Sequence, residues 1–209
     1  MTAFDEFSAI PSGRYGLIMA DPPWLFLNWS KKGERKNASA QYPCAASGEI
    51  ACLDLPRIAA PDCILWLWAT NPMLRQAYAL LDKWGFEDKT GGHWSKLSKN
   101  SVLGEAGAKQ HFGTGYILRG ACEPYLIATR GKPKYESKRV RSCIIAPVRE
   151  HSRKPDEAYA NAAELAGDVP KIEIFSRQRR DGWDAFGDEI DRFAGDHRSP
   201  AELTAESAA

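Results

Sequence analysis

The chain has little of what would place it in an oxidising or membrane-bound setting. Its five cysteines, Cys44, Cys52, Cys63, Cys122 and Cys143, contain no CxxC pair, and no histidine stands at zinc spacing from them. A disulfide framework and a metal site are therefore not expected. Cys63, Cys122 and Cys143 sit at or beside apolar runs and read as small core residues. His93, His111 and His151 show no ligand spacing among themselves and read as surface or loop residues. No apolar run approaches the roughly 20 residues that a bilayer requires. The opening MTAFDEFSAIPSG lacks the basic start and apolar centre of a secretory leader. A reduced, cytoplasmic protein with no membrane contact is expected.

Net charge is also scarce. The formal value is +1 over 209 residues, so the whole molecule is not a polyelectrolyte. The charge is distributed unevenly. Between Arg130 and Lys154 there are nine basic residues against Glu136 and Glu150, and from Asp184 onward seven acids stand against Arg192 and Arg198. The basic stretch suits a polyanionic partner, although a solvated loop is the plain alternative. No internal repeat appears.

What is present is a set of short apolar runs separated by turn signals, with a hydrophobic content of 44%. Tyr15–Ala20 and Cys63–Thr70 are apolar on both alternate faces, as buried parallel strands are. The spacing predicts a helix after Asn71-Pro72, with Asn71 as cap and Pro72 at the first helical position. Met73, Leu74, Ala77, Tyr78, Leu81 and Trp84 form its core face, and Gly85 stops it. Further strands are expected within Phe86–Leu97, over Glu123–Arg130 and Lys171–Phe175, and at Cys143–Val148. A helix is expected over Lys154–Gly167. Ser30–Pro43 and Asn100–Gly120 read as long loops of the kind that cover sites. Alternating strands and helices imply a doubly wound, mostly parallel α/β sheet, which binds ligands beyond the carboxyl ends of its strands.

LIMADPPWLFLNW carries the chemistry. The strand must end at Asp21, because prolines cannot continue a sheet ladder. A carboxylate and a rigidly held Pro22 carbonyl can accept both N–H groups of a flat exocyclic amine. That draws the nitrogen toward tetrahedral geometry and frees its lone pair. A tryptophan two places on can stack on the ring. A capped strand-end turn is the competing reading of these four residues alone.

With these residues in view, the sequence resembles the MT-A 70-like family of S-adenosylmethionine-dependent N6-adenine methyltransferases, of bacterial or phage type. The likeness runs from about Tyr15 to Glu189. Asp21-Pro22-Pro23-Trp24 resembles the catalytic tetrad, and Tyr42-Pro43 the segment beside the target nucleoside. GTGYILRGACEPYLIATRG resembles the second active-site loop, with Arg119 and Glu123 on the substrate side. HSRKPDEAY resembles the basic segment and helix start whose lysine, here Lys154, reaches cofactor and substrate. IEIFSRQRRDGWDAFGDE resembles the cofactor-binding end, implicating Phe175, Arg177, Arg179, Gly187, Asp188 and Glu189 together with Asp21 and Pro22.

The resemblance implies a Rossmann-like methyltransferase fold in circularly permuted motif order. It implies one domain over residues 1–193 and a flexible acidic tail over 194–209. The implied activity is methylation of adenine N6 in nucleic acid, DNA before RNA, with a second copy or a partner subunit possible. A catalytically silent nucleic-acid-binding subunit is the rival reading, and the intact Asp21 argues against it.

Overall fold

The computed structural model describes residues 3–24, 47–115 and 117–193. Tyr42, Cys44, the Ser30–Pro43 loop and the 194–209 tail lie outside the described residues. The elements in chain order are α1 (Ala3–Ser8), β1 (Tyr15–Ala20), α2 (Ser47–Ile50), α3 (Leu55–Ile58), β2 (Ala59–Trp68), a 3-10 turn (Asn71–Met73), α4 (Leu74–Trp84), β3 (Glu87–Leu97), β4 (Cys122–Arg130), β5 (Cys143–Pro147), α5 (Asp156–Ala166), β6 (Lys171–Ile174) and β7 (Asp184–Phe186).

These seven strands form one sheet in the order β5-β3-β4-β2-β1-β6-β7. β1 is parallel to β2 and β6, β3 to β5, and β6 to β7, whereas β4 is antiparallel to both β2 and β3. β4 is thus the one reversed strand among the described residues, and the expectation of a mostly parallel, doubly wound sheet holds. All six residues of β1 are buried, because alternate side chains enter different cores. Ile18 and Ala20 pack with Leu65, Leu67, Ala77, Leu81 and Trp84 on the α4 face. Leu17 and Met19 pack with Ile64, Trp66, Trp68, Ala158 and Ala162 on the α5 face. The Trp66 and Tyr125 rings stack at 4.2 Å in the second core.

Three local expectations need correction. Asn71 does not cap α4: it opens the 3-10 turn, Thr70 stands at the turn's N-cap, and no side chain caps it. On α4, Tyr78 is 45% exposed and Leu80 is buried in its place. Gly85 does end the helix, in the left-handed region at φ 68°. Of the three cysteines read as core, only Cys63 is buried; Cys122 and Cys143 lie at strand starts and are exposed. β7, α1, α2 and α3 have no counterpart in the sequence reading, each being too short to show a period.

The strand directions decide where the site forms. Ala20 pairs with Leu67 and with Ile174, Trp68 with Tyr125, and Trp94 with Glu123. The residues after β1, β2 and β6 and the start of β4 therefore share one edge. Asp21 still donates its backbone N–H to the Ile174 carbonyl (3.4 Å). Pro22 and Pro23, with no N–H, end the ladder there. The reversal of β4 has a second effect: its basic continuation starts at the opposite edge. There Arg130 pairs with Cys63 and the Lys132 N–H donates to Asp62.

Candidate active site

Asp21, Glu123 and Lys154 come from three separate segments and meet at the common edge. The Lys154 ammonium donates to Asp21 Oδ2 at 2.6 Å and lies 3.0 Å from Glu123 Oε1. Lys96, on β3 opposite the start of β4, donates to the other Glu123 oxygen at 2.7 Å. The Lys154 side chain is 5% exposed and that of Asp21 is 20% exposed, so the acid keeps a path to ligand. Lys154 also stands 5.3 Å from the Trp68 ring centroid. Burial pushes the Asp21 carboxyl above its ordinary range, and the neighbouring Glu123 charge adds to this, against the pull of Lys154. Glu123 is buried too, but Lys154 and Lys96 outweigh that and bring it down to about 2. Lys154 is held above its usual range by the two carboxylates despite its burial.

Trp24 departs from the expected clamp. It is 4% exposed and sits in the α4-side core. Its indole N–H donates to the Trp68 carbonyl at 3.1 Å. The ring ties the Pro-Pro turn to the end of β2 and does not stand at the mouth. The Pro22 carbonyl accepts the Trp24 backbone N–H (2.8 Å), which leaves one of its two lone pairs unused.

Beside Asp21 lies a pocket between the ends of β1 and β6. This is the crevice where chains leaving a doubly wound sheet diverge. Asp21, Lys154, Phe175, Arg177, Gln178 and Phe193 line it, with Glu173 and Tyr159 at its wall. Phe175 and Ser152 are held at φ 64° and 61°. Side chains rarely adopt these values, and such strain concentrates at functional sites. Arg177 donates to Glu189 at 2.8 Å and to the His151 carbonyl at 3.1 Å. Glu189 is also paired with Arg192. Glu173 accepts the Tyr159 hydroxyl at 2.5 Å and the Ser176 hydroxyl at 2.8 Å, and burial raises its carboxyl.

Gly187 fits this wall for a steric reason: a Cβ there would stand 2.4 Å from the Ser176 carbonyl oxygen and 2.6 Å from its nitrogen. Gly187→Ala is expected to displace the Phe175–Ser176 turn and destabilise the fold by about 1–3 kcal/mol, read by urea denaturation. Unchanged stability would show that the turn accommodates a Cβ at this position.

The structure thus brings together Asp21, Pro22, Glu123, Lys154, Phe175, Arg177 and Glu189 from the residues singled out in the sequence. Arg179 and Asp188 are exposed and do not line the pocket; Arg179 pairs with Asp191 at 2.9 Å. Arg119 is exposed, with its guanidinium 5.5 Å from the Phe112 ring centroid. Glu123 pairs with Lys96 and Lys154. The basic stretch does not form one surface. Arg149, Arg153 and Lys154 are paired within the protein near the site. Arg139 lies against Glu164, toward the far end of α5. Lys96 and Tyr159 were not found from the sequence. Glu173 offered one signal, an acid inside the apolar run KIEIF.

Among the described residues no group of histidine, cysteine or acidic side chains could hold a metal. No described helix is long and apolar enough to cross a membrane.

Residues 15–189 match the MT-A70 family. The chain is 30% identical over 205 residues to the type II methyltransferase M.MunI of Mycoplasma sp, covering 89% of this chain and 82% of that protein. It is 27% identical over 183 residues to METTL3 of Homo sapiens, an N(6)-adenosine-methyltransferase catalytic subunit, covering 86% of this chain and 29% of the relative. A putative N(6)-adenosine-methyltransferase of Medicago truncatula is 27% identical over 180 residues, covering 85% and 27%. With the match spanning most of its length, the chain belongs to the MT-A70 family.

Proposed function

We propose that this protein transfers a methyl group from S-adenosylmethionine to the N6 amine of adenine in nucleic acid, with DNA favoured over RNA. The carrying observation is the meeting of Asp21, Lys154 and Glu123 beside a pocket at the switch point of the sheet. DNA is favoured because the likeness to the type II methyltransferase extends over most of both chains, whereas the N6-adenosine relatives match over a minority of their length.

The pocket suits the cofactor's chemistry. Lys154 and Arg177 are cations for an amino-acid carboxylate, and Glu189 and Arg177 can hold a ribose diol. Phe175 and Phe193 offer apolar faces to a base, and Asp21 offers negative charge to a sulfonium. The cofactor supplies an electrophilic methyl. Asp21 and the free lone pair of the Pro22 carbonyl accept the two N–H bonds of the target amine, which localises its lone pair. The amine becomes cationic as it is methylated. Asp21, a stronger base than an ordinary carboxylate, then receives or relays the released proton. Lys154 and Glu123 hold Asp21 in place, so the reacting groups are oriented before they meet.

N6 is paired inside a duplex, so the base must be flipped or single-stranded. The loop over residues 98–121 begins and ends at this edge. It exposes Lys99, Lys109 and Arg119 beside Phe112 and Leu118, a mixture suited to phosphate and unstacked bases.

Labelled-methyl incorporation into DNA and RNA, followed by nucleoside mass spectrometry, tests the proposal. N6-methyladenine in DNA is the expected product. N6-methyladenosine in RNA alone would transfer the assignment to RNA. Nucleic-acid binding without incorporation into either would identify a silent partner subunit.

A further inference from the structure

We propose that Asp156 is a positioning residue whose carboxylate, clamped between Arg149 and Arg180, fixes the Lys154 backbone so that its ammonium stays between Asp21 and Glu123. The inference rests on the function proposed above for Asp21 and Lys154.

Lys154 lies in the irregular segment between β5 and α5, where no ladder or helix holds its backbone. Two residues earlier Ser152 sits in the left-handed region, so the segment needs an external brace. Arg149 supplies one. A terminal nitrogen donates to Asp156 Oδ2 at 2.8 Å, and its other terminal nitrogen donates to the Lys154 carbonyl at 3.1 Å. Asp156 Oδ1 accepts from Arg180 at 2.6 Å. Arg180 also donates to Gln178 and lies 3.6 Å from the Tyr159 ring centroid.

The clamp therefore joins the exit of β5, the first turn of α5 and the exit of β6, which carry Lys154 and the pocket wall. The side chains of Arg149, Asp156 and Arg180 are 17%, 5% and 12% exposed. Removing the charge of Asp156 leaves two guanidiniums facing each other in a poorly hydrated space, and their separation moves the Lys154 carbonyl.

Asp21 reports such a movement. The charged or titratable groups acting on it are Lys154, Glu123, Arg177, Glu173 and Tyr159. Of these, Lys154 is the cation in direct contact with it. A retreat of Lys154 raises the pH at which Asp21 ionises. A purely stabilising Asp156 would lower the melting temperature on substitution and leave that titration alone.

Asp156→Asn and Arg149→Lys should be compared with wild type in three measurements: thermal melting, the pH profile of kcat, and the Asp21 carboxyl titration by carbon-13 NMR. In both variants kcat is expected to fall by about 10- to 100-fold. The Asp21 titration and the acid limb of kcat should move upward together by about one pH unit, with KM changed less than kcat. Arg149→Lys keeps the charge opposite Asp156 but cannot reach the Lys154 carbonyl at the same time, so it gives the result if Asp156→Asn fails to fold. An unmoved Asp21 titration in the folded variants would overturn the proposal, whatever the melting temperature. The titration needs no turnover. An upward movement in a protein without methyltransferase activity would sustain the clamp and reject the catalytic reading instead.

Discussion

Asp21→Asn is expected to lower the kcat of methyl transfer by about 100- to 1,000-fold and to leave thermal stability unchanged or raised. The amide keeps the shape and one acceptor, but it loses the charge proposed to localise the amine lone pair and to receive its proton. The stability side follows from the titration. Burial raises the folded-state ionisation of Asp21, so its contribution to stability is present below the ordinary carboxylate range. That contribution is lost as pH rises through the raised folded value. An ionised carboxylate at this position is thus a burden on the fold, and the neutral isostere removes it. Labelled-methyl incorporation alongside calorimetric melting checks both halves. Near-wild-type incorporation would take Asp21 out of the mechanism.

Lys154→Met has the opposite stability profile. It leaves the Asp21 and Glu123 carboxylates facing each other with only Lys96 behind Glu123. Breaking a buried ionic cluster by removing one partner costs about 3–5 kcal/mol. Glu123 in the wild type is depressed to about 2, so it stabilises the fold above the ordinary carboxylate range. That stabilisation is lost only as pH falls toward 2. Without Lys154 both acids rise, and one of them must take a proton to stay buried. Urea denaturation should therefore show a large deficit against wild type at pH 8 that narrows at pH 5, with binding of S-adenosylmethionine weakened as well. A deficit independent of pH would show that the ammonium does not govern the two carboxylates.

The edge that carries Asp21 was legible because its signals are local. Asp21-Pro22-Pro23 ends a strand by covalent necessity, and the apolar runs at β1 and β2 announce burial on both faces. Strand direction was not legible. The apolar residues of β4 read the same in either direction, yet its reversal puts Glu123 at the site and carries Lys132 toward the opposite edge. This is why the sequence's single basic stretch divides in space. Trp24 was misread because a tryptophan beside prolines looks like a displayed ring, and only the Trp68 carbonyl across 44 residues makes it an anchor. Lys96 left no trace, since a cation on a half-buried strand looks the same whether solvated or paired.

The reversed β4 also bears on how such an enzyme can change its target. Because β3 and β4 are antiparallel neighbours, the chain over residues 98–121 leaves and re-enters the sheet on the rim of the active site. Closing a flexible loop costs only about 0.6 kcal/mol more for each doubling of its length. Residues can be added to or exchanged within this rim while the register of β3 with β4, and with it the position of Glu123, stays as it is. Recognition can then diversify on one side of the molecule while the pocket between β1 and β6 remains unchanged.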